Sequence, residues 1–206
     1  LEHTIFSLPL IYAGAILGAQ GWPSRRLALL ILIAAIGGRV AALGLNRLID
    51  VETDRRNPRT KMRELARGAM RRGEAWAVVA AGALVYAVSA ALIAPICVLL
   101  APIPLALFVG YPYLKRFTSL AHVGLGLTWS LAPVAGWLAV TQSLARLADI
   151  GWLWLFALLW VTGFDIIYAT MDEAFDREFG LHSLPVRLGR KRALRLAAWF
   201  HAASFV

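Results

Sequence analysis

Long apolar runs follow one another along this chain, and each predicts one membrane-spanning helix or most of one. Their approximate bounds are 4–20, 27–49, 75–93, 95–112, 121–141, 150–171 and 193–206. Most approach the ~20 residues that a helix needs to cross the hydrocarbon core of a bilayer. Hydrophobic residues make up 60% of the sequence and charged residues 16%. The pattern therefore predicts an all-α, polytopic membrane protein.

The polar connections indicate how this membrane protein is organised. No long polar or low-complexity linker divides the chain, so we expect residues 1–206 to form a single transmembrane domain. The last apolar run is too short to span a bilayer and has no polar flank, so we expect the domain to be truncated within helix seven. The one sizeable polar connection, between Asp54 and Ala75, has about 20 residues, a length that often marks a functional loop.

Glycines and prolines indicate where helices approach closely and where they break. Gly37-Gly38 and the Gly14/Gly18 pair permit close helix packing. Several prolines occur in the stretch 95–112, so helix boundaries are hardest to predict there.

The net charge of +9 is distributed unevenly between the two sides of the predicted membrane domain. The even-numbered connections carry most of the Lys and Arg, within 55–72, 115–116 and 187–195. By the positive-inside rule these connections are cytoplasmic, and the N-terminus starts on the same side. The charge needs no nucleic-acid partner to explain it. We predict a multi-pass protein of the cytoplasmic membrane.

Polar residues at helical spacing end the second apolar run. Asn46, Asp50 and Asp54 stand at i, i+4 and i+8, which places them along one face of a helix. A second run, YATMDEAFD, repeats the spacing with Tyr168, Asp172 and Asp176. We call these sets the first and second acidic ladders. The second ladder ends an apolar run four helices after the first, so both are expected at the cytoplasmic face, where they would share one cavity.

Two further charged residues stand about two helical turns before the ladders. Arg39 is seven residues before Asn46, and Asp165 is seven before Asp172. Seven residues are ~20° short of two full turns. Arg39 and Asp165 are therefore expected to face the same cavity, deeper in the membrane.

The donor set of the ladders favours a hard cation. Carboxylate and amide oxygens without nearby His or Cys suit Mg²⁺ rather than zinc or copper. Two opposed ladders would hold two ions with a diphosphate between them. Basic side chains after each ladder would complete the clamp on the phosphate: Arg59, Arg63, Lys115 and Arg187. The alternative is that these are ordinary positive-inside charges and that the carboxylates pair with adjacent arginines.

Four blocks of the sequence resemble the UbiA superfamily of intramembrane aromatic prenyltransferases. They are EHTIFSLP, NRLIDVETDRRNPRT, YPYLKRFT and DIIYATMDEAFDREFGLHSLPVRLG. The resemblance implies a bundle of nine helices around a central cavity, of which about seven are visible here. It also implies Mg²⁺-dependent transfer of a polyprenyl group from its diphosphate to an acceptor.

The resemblance assigns roles to individual residues. The metal ligands would be Asn46, Asp50, Asp54, Asp172 and Asp176. Functional family positions also match Asp165 and Lys115, while Tyr168 would stabilise a developing cation, hold a metal-bound water or only pack. Arg39 resembles a position that faces the aromatic acceptor, where it would bind a carboxylate; the alternative is a buried partner for Asp165. His122, at a helix start, is interpreted as a cap or interface residue.

The acceptor and the class of function each leave alternatives. We expect 4-hydroxybenzoate as the aromatic acid, in ubiquinone biosynthesis. A dihydroxynaphthoate, in menaquinone biosynthesis, comes second because Glu64 in TKMREL resembles a subgroup associated with naphthoate acceptors. A non-aromatic or tetrapyrrole acceptor comes third. A cation-coupled transporter would instead place its carboxylates near the membrane midplane, and a structural subunit would leave the ladders without a purpose. Membrane lipid is an expected partner; no obligatory protein partner is inferred.

Overall fold

The computed structural model describes the backbone of residues 4–205 and the side chains of residues 7–205. The described chain is all-helical, as the sequence predicts, and contains no strand. Two residues of the first family-like block, Glu2 and His3, lie outside the described part, as does Val206. The helices are α1 (Thr4–Ala19), α2 (Arg25–Arg56), α3 (Arg72–Ile93), α4 (Pro95–Leu100), α5 (Pro102–Leu114), α6 (Ala121–Thr141), α7 (Gly151–Ala169), α8 (Glu173–Glu178), α9 (Leu184–Leu188) and α10 (Arg190–Ala203).

Five helical stretches within the described residues are long and apolar enough to cross a membrane. They are Arg25–Arg56, Arg72–Ile93, Pro95–Leu114, Ala121–Thr141 and Leu147–Ala169. A shorter apolar helix covers Ser7–Ala19. Large apolar side chains on these helices, such as Leu84 and Leu99, are well exposed, which suits a surface solvated by lipid.

Two predicted stretches have different boundaries in the structure. The apolar run 95–112 lies within one candidate membrane span, as predicted, but Pro102 starts a new helix in it after a turn at Ala101. The polar connection after α2 is shorter than expected, because α2 continues through Arg56 and α3 already begins at Arg72. The connection therefore consists of 57–71, folded as successive turns.

Contacts divide the chain into two compact units. Ser24–Pro112 forms one unit, and α1 joins the chain from Tyr113 onward in the other. In the first, α2 packs closely against α3, since a Cβ at Gly37 would lie 2.7 Å from the Tyr86 nitrogen and 2.8 Å from the Gly82 oxygen. The glycine at position 37 is thus required by the contact, as the sequence predicts.

A small apolar cluster holds the connection 57–71 against its neighbours in the first unit. Val51 of α2, Leu65 of the connection and Ala75 of α3 are buried together, with Leu48 and Met70 packed against them. The cluster fixes the connection that carries the candidate arginines.

In the other unit, α6 packs against both α1 and α7, and α7 packs against α10. A Cβ at Gly14 would collide with the carbonyl of Pro133, so the two backbones touch there. Ile166 of α7, Leu184 of α9 and Ala193 of α10 form a buried cluster. This cluster attaches the short helix α9 to the end of α7.

Candidate functional site

The first acidic ladder lies on one continuous helix, as predicted. Because α2 extends through Arg56, its backbone carries all three polar residues. Asn46 Nδ2 donates to Asp50 Oδ2 at 3.3 Å and contacts the Tyr111 hydroxyl at 3.2 Å. Tyr111 was not predicted as a site residue; its presence in the YPYLKRFT block is the signal that points to it. The tyrosine and the carboxylate together fix the amide of Asn46.

Asp54, at the end of the ladder, is paired with an arginine from the following connection. Its side chain is buried, with the residue only 5% exposed. Arg63 Nη1 donates to Asp54 Oδ1 at 2.7 Å and to Oδ2 at 2.8 Å. The Thr60 hydroxyl donates to the Asp54 carbonyl at 3.3 Å. For this carboxylate the structure therefore shows the pairing with an adjacent arginine that the sequence left open as an alternative.

Two other candidate basic residues of the first unit occupy different environments. Arg39 lies on α2 and is partly buried within the spanning segment, where Tyr111 is within electrostatic range. Arg59 lies in the connection, and its backbone N–H donates to Asn57 Oδ1 at 2.9 Å. Arg59 and Arg63 thus belong to the same folded turn region that follows α2.

The second acidic ladder does not lie on one helix, and this prediction is wrong. Helix α7 ends at Ala169, and Asp172 precedes a separate short helix, α8. The N–H groups of Thr170, Met171 and Asp172 each bond to a carbonyl three residues back. Such 3₁₀-type bonds tighten the chain relative to an α-helix. The i, i+4 relation between Tyr168 and Asp172 is therefore lost, and the seven-residue offset from Asp165 no longer defines a common face.

Asp176 has the environment expected of a cation ligand. It is 4% exposed, and its Oδ2 has no hydrogen-bond partner within residues 4–205. Burial raises the pKa of the Asp176 carboxyl, and the nearby Lys115 ammonium partly offsets that rise. The Ser183 hydroxyl also lowers this pKa, although no well-formed hydrogen bond joins the two side chains. A buried oxygen with an unused lone pair and hard-donor chemistry fits Mg²⁺.

Lys115 is brought to Asp176 by the backbone around it. Its carbonyl accepts a hydrogen bond from the His182 N–H at 2.8 Å. The loop after α8 is thereby attached to the chain that follows α5. Within the part of the chain that the structure describes, however, no three Asp, Glu, His or Cys side chains are clustered closely enough to hold a metal.

Asp165 is paired with a histidine that sequence reasoning did not assign to the site. His122 Nδ1 lies 2.6 Å from Asp165 Oδ2, and the Leu184 N–H donates to His122 Nε2 at 3.2 Å. His122 is fully buried. The sequence predicted only a cap or interface role for it, because its partner lies 43 residues away.

Tyr168 and Arg187 complete the candidate set of this unit. Tyr168 is 39% exposed, and its ring centroid lies 5.3 Å from that of Phe164. Arg187, in the last turn of α9, donates from Nη1 to the Ser119 hydroxyl at 3.3 Å. The same unit thus contains Lys115, Asp176, the Asp165–His122 pair and Arg187.

Together these features define a class: a polytopic helical membrane protein with buried carboxylates and basic side chains at its helix ends. The chain belongs to the UbiA prenyltransferase family, whose sequence model matches residues 7–206. It is accordingly an integral membrane protein.

Curated relatives include 4-hydroxybenzoate prenyltransferases. A 4-hydroxybenzoate octaprenyltransferase from Coxiella burnetii is 31% identical over 177 residues, covering 84% of this chain and 60% of the relative. The mitochondrial 4-hydroxybenzoate polyprenyltransferase of Caenorhabditis elegans is 31% identical over 189 residues, covering 88% of this chain and 52% of the relative. The chain thus spans between half and two thirds of the length of these relatives.

Solved structures share the fold. The apo structure of a UbiA homologue from Aeropyrum pernix K1 is 40% identical, with a TM-score of 0.90 over 99% of this chain and 76% of that one. A UbiA homologue from Archaeoglobus fulgidus, solved with GPP and Mg²⁺, is 24% identical with a TM-score of 0.77, covering 98% and 71%.

Proposed function

We propose that this protein transfers a polyprenyl group from a polyprenyl diphosphate to 4-hydroxybenzoate, in a Mg²⁺-dependent reaction. The observation that carries the proposal is the buried Asp176 carboxylate, whose Oδ2 has no partner among the described residues and whose neighbour is Lys115. The Lys115 ammonium can bind an anion, and the Asp176 carboxylate can bind a cation. The pair therefore suits a diphosphate together with its metal ion. The curated relatives named above support the choice of acceptor.

The acidic residues of both motifs are the proposed metal ligands. These are Asn46, Asp50, Asp54, Asp172 and Asp176. When bound, Mg²⁺ supplies electrostatic stabilisation of the leaving diphosphate. That both motifs act on the same diphosphate stays a prediction from the sequence. The bound Mg²⁺ and GPP of the Archaeoglobus homologue support the ligand chemistry.

Basic side chains from the connections are proposed to bind the diphosphate oxygens. Arg59 and Arg63 follow α2, Lys115 follows α5, and Arg187 lies in α9. Guanidinium groups match phosphate oxygens in charge and in geometry, and the lysine adds a compact point charge. These four residues belong to the connections that carry most of the Lys and Arg of the sequence. We propose that these connections face the cytoplasm.

The proposed reaction breaks the C–O bond between the allylic carbon and the diphosphate, and the electron pair leaves with the oxygen. The allylic carbon then bonds to a ring carbon of the acceptor, which loses a proton. Asp165 stabilises the developing allylic charge as a fixed carboxylate, and Tyr168 does so through its ring. Arg39 binds the acceptor carboxylate through paired hydrogen bonds.

The membrane location suits this chemistry. An allylic cation is consumed by water, so the reacting carbon has to be kept dry. A polyprenyl tail is apolar and lies favourably among exposed apolar side chains such as Leu84 and Leu99. The same site thus accommodates a charged head at the helix ends and a lipid tail in the bilayer.

A dihydroxynaphthoate acceptor is the second candidate. Glu64 follows Arg63 in the connection after α2, as in the subgroup associated with naphthoate acceptors. Both acids carry the carboxylate that Arg39 would bind. The two candidate acceptors differ in the size of the ring system.

The test supplies the purified protein with geranyl diphosphate, Mg²⁺ and a panel of aromatic acids, and detects products by mass spectrometry. The panel contains 4-hydroxybenzoate, 1,4-dihydroxy-2-naphthoate and phenol, which lacks the carboxylate. With 4-hydroxybenzoate we expect a product whose mass equals the acceptor plus the geranyl group minus one hydrogen, with EDTA abolishing it. Geranylation of neither acid would overturn the proposal, and equal reaction of phenol would remove the role of Arg39.

A further inference from the structure

We propose that His122 is a positioning residue for prenyl transfer, which orients the Asp165 carboxylate through one ring nitrogen and fixes the loop before α9 through the other. The inference rests on the proposed function. His122 has 0% exposure, and it occupies the second position of α6. Both of its ring nitrogens have partners in other segments of the same unit.

The two contacts determine the tautomer of the imidazole. Leu184 contributes a backbone N–H, which can only donate, so His122 Nε2 has to accept and carries no proton. The proton is therefore on Nδ1, and Nδ1 donates to Asp165 Oδ2 at 2.6 Å. A proton on both nitrogens would direct an N–H at the N–H of Leu184. The two contacts thus assign a proton to His122 Nδ1, with Asp165 Oδ2 as its acceptor.

The first contact determines how Asp165 is presented. Asp165 lies within α7, a helix long enough to span the membrane. Its Oδ2 is held by His122, so rotation about the bonds of the side chain is restricted. A fixed carboxylate stabilises developing charge better than a mobile one, because no reorganisation is needed when the charge appears.

The second contact determines the position of a substrate-binding segment. Leu184 begins α9, whose last turn carries Arg187, and Ser183 precedes it next to Asp176. His122 thus contacts both Asp165, a proposed reacting group, and the segment that carries Arg187, a proposed diphosphate ligand. Packing alone does not require either hydrogen bond.

Two substitutions separate the contacts. The amide nitrogen of His122→Asn takes the place of Nδ1 and keeps the bond to Asp165, but it leaves the Leu184 N–H without an acceptor. The side-chain oxygen of His122→Gln reaches the place of Nε2 and keeps the bond from Leu184, but it loses the donor to Asp165. Each variant therefore keeps one of the two hydrogen bonds of the imidazole and removes the other.

We expect a crossed kinetic pattern in geranyl transfer. His122→Gln should lower kcat on the order of 10- to 100-fold, as loss of an orienting partner does, with KM for geranyl diphosphate within about twofold. His122→Asn should raise that KM about three- to tenfold, with kcat within about threefold. His201→Asn is the matched control: His201 lies on α10, contacts the Trp160 carbonyl at 3.2 Å and belongs to no proposed role, so neither constant should change.

A second measurement keeps the proposal falsifiable if a variant folds poorly. In the wild-type protein, ¹⁵N NMR of the histidines should show His122 as the Nδ1–H tautomer. In the background of Asp165→Asn, adding His122→Gln should lower kcat no further. Parallel changes of kcat and KM in both variants, an Nε2–H tautomer or an additive double variant would each overturn the role of His122. A wild-type protein that transfers no geranyl group would instead overturn the proposed function itself.

Discussion

Arg63 contacts both carboxylate oxygens of Asp54 through a single nitrogen, at 2.7 and 2.8 Å. Arg63 is a proposed diphosphate ligand, and Asp54 is a proposed metal ligand. A guanidinium on a carboxylate occupies the oxygens that a metal ion would use. The two roles can be fulfilled together only if Arg63 leaves Asp54 when the metal diphosphate binds.

Replacing Arg63 should therefore affect the metal and the diphosphate in opposite directions. We expect Arg63→Gln to bind Mg²⁺ alone about fivefold more tightly, because a half-buried ion pair worth about 1 kcal/mol no longer competes. The same variant should raise KM for the prenyl diphosphate, because a phosphate ligand is lost. Isothermal titration with Mg²⁺ and steady-state kinetics measure the two effects.

Arg72→Gln is the control for this experiment. Arg72 pairs with Glu52 at 2.8 Å, and both side chains are exposed, so its loss should change neither quantity. Weaker Mg²⁺ binding by Arg63→Gln would show that the arginine supports the metal site rather than competing with it.

Removal of the charge of Asp176 should stabilise the metal-free protein while abolishing its proposed activity. Burial raises the pKa of this carboxyl, so the folded state resists its ionisation. A carboxyl with a raised pKa in the folded state contributes least to stability once the pH exceeds that pKa. Asp176→Asn should therefore raise the free energy of unfolding by about 1 kcal/mol at neutral pH, and by less in acid.

Thermal unfolding of the metal-free protein in detergent at pH 5 and pH 8 measures this effect. Asp54→Asn is the contrasting variant, because Asp54 is paired with Arg63 and its loss should destabilise or leave stability unchanged. A lower unfolding temperature for Asp176→Asn at pH 8 than for the wild type would contradict the expected cost of the buried charge.

The first acidic ladder could be predicted from the sequence because local geometry determines it. Asn46, Asp50 and Asp54 lie within one helix, so a spacing of four residues suffices to place them along one face. The second ladder could not be predicted in the same way. Its spacing is identical, but α7 ends before Asp172. Three consecutive backbone N–H groups there bond to carbonyls three residues earlier instead of four. No hydrophobic pattern distinguishes the two cases, because the turn between α7 and α8 covers only residues 170–172.

Tertiary partners could not be predicted by any local rule. His122 contacts Asp165 across 43 residues, and Asn46 contacts Tyr111 across 65. The sequence placed His122 at a helix start and Asn46 near a helix end, but their partners depend on which helices pack together. The spanning helices could be predicted because the hydrocarbon thickness of a bilayer sets their length.

Two adjacent glycines of α2 provide a test of the close packing with α3. A Cβ at Gly37 would lie 2.7 Å from a backbone nitrogen of Tyr86, whereas one at Gly38 would lie at 3.5 Å from the ring of the same residue. Gly37→Ala should lower the free energy of unfolding by about 1–3 kcal/mol, because α2 and α3 have to separate. Gly38→Ala should be neutral or slightly stabilising, because alanine is the better helix former.

Thermal unfolding in detergent compares the two alanine variants directly. Each adds one methyl group to neighbouring positions of the same helix, so detergent and expression effects are matched. Equal unfolding temperatures for the two would contradict the backbone approach at Gly37.

We propose that the acidic residues of both motifs hold Mg²⁺ for prenyl transfer. Asp54→Asn and Asp172→Asn keep the side-chain shape and remove one charge from each motif. Glu52→Gln is the matched control, because Glu52 lies on the same helix as Asp54 but pairs with the exposed Arg55 and Arg72.

The most direct measurement is Mg²⁺-dependent geranyl transfer by these variants, with folding checked by circular dichroism. We predict that Asp54→Asn and Asp172→Asn each lose transfer by at least about 100-fold, a barrier increase of roughly 2.7 kcal/mol, while Glu52→Gln retains it. Full activity in both Asp variants, with the same Mg²⁺ dependence as the wild type, would contradict the proposed role of these carboxylates as metal ligands.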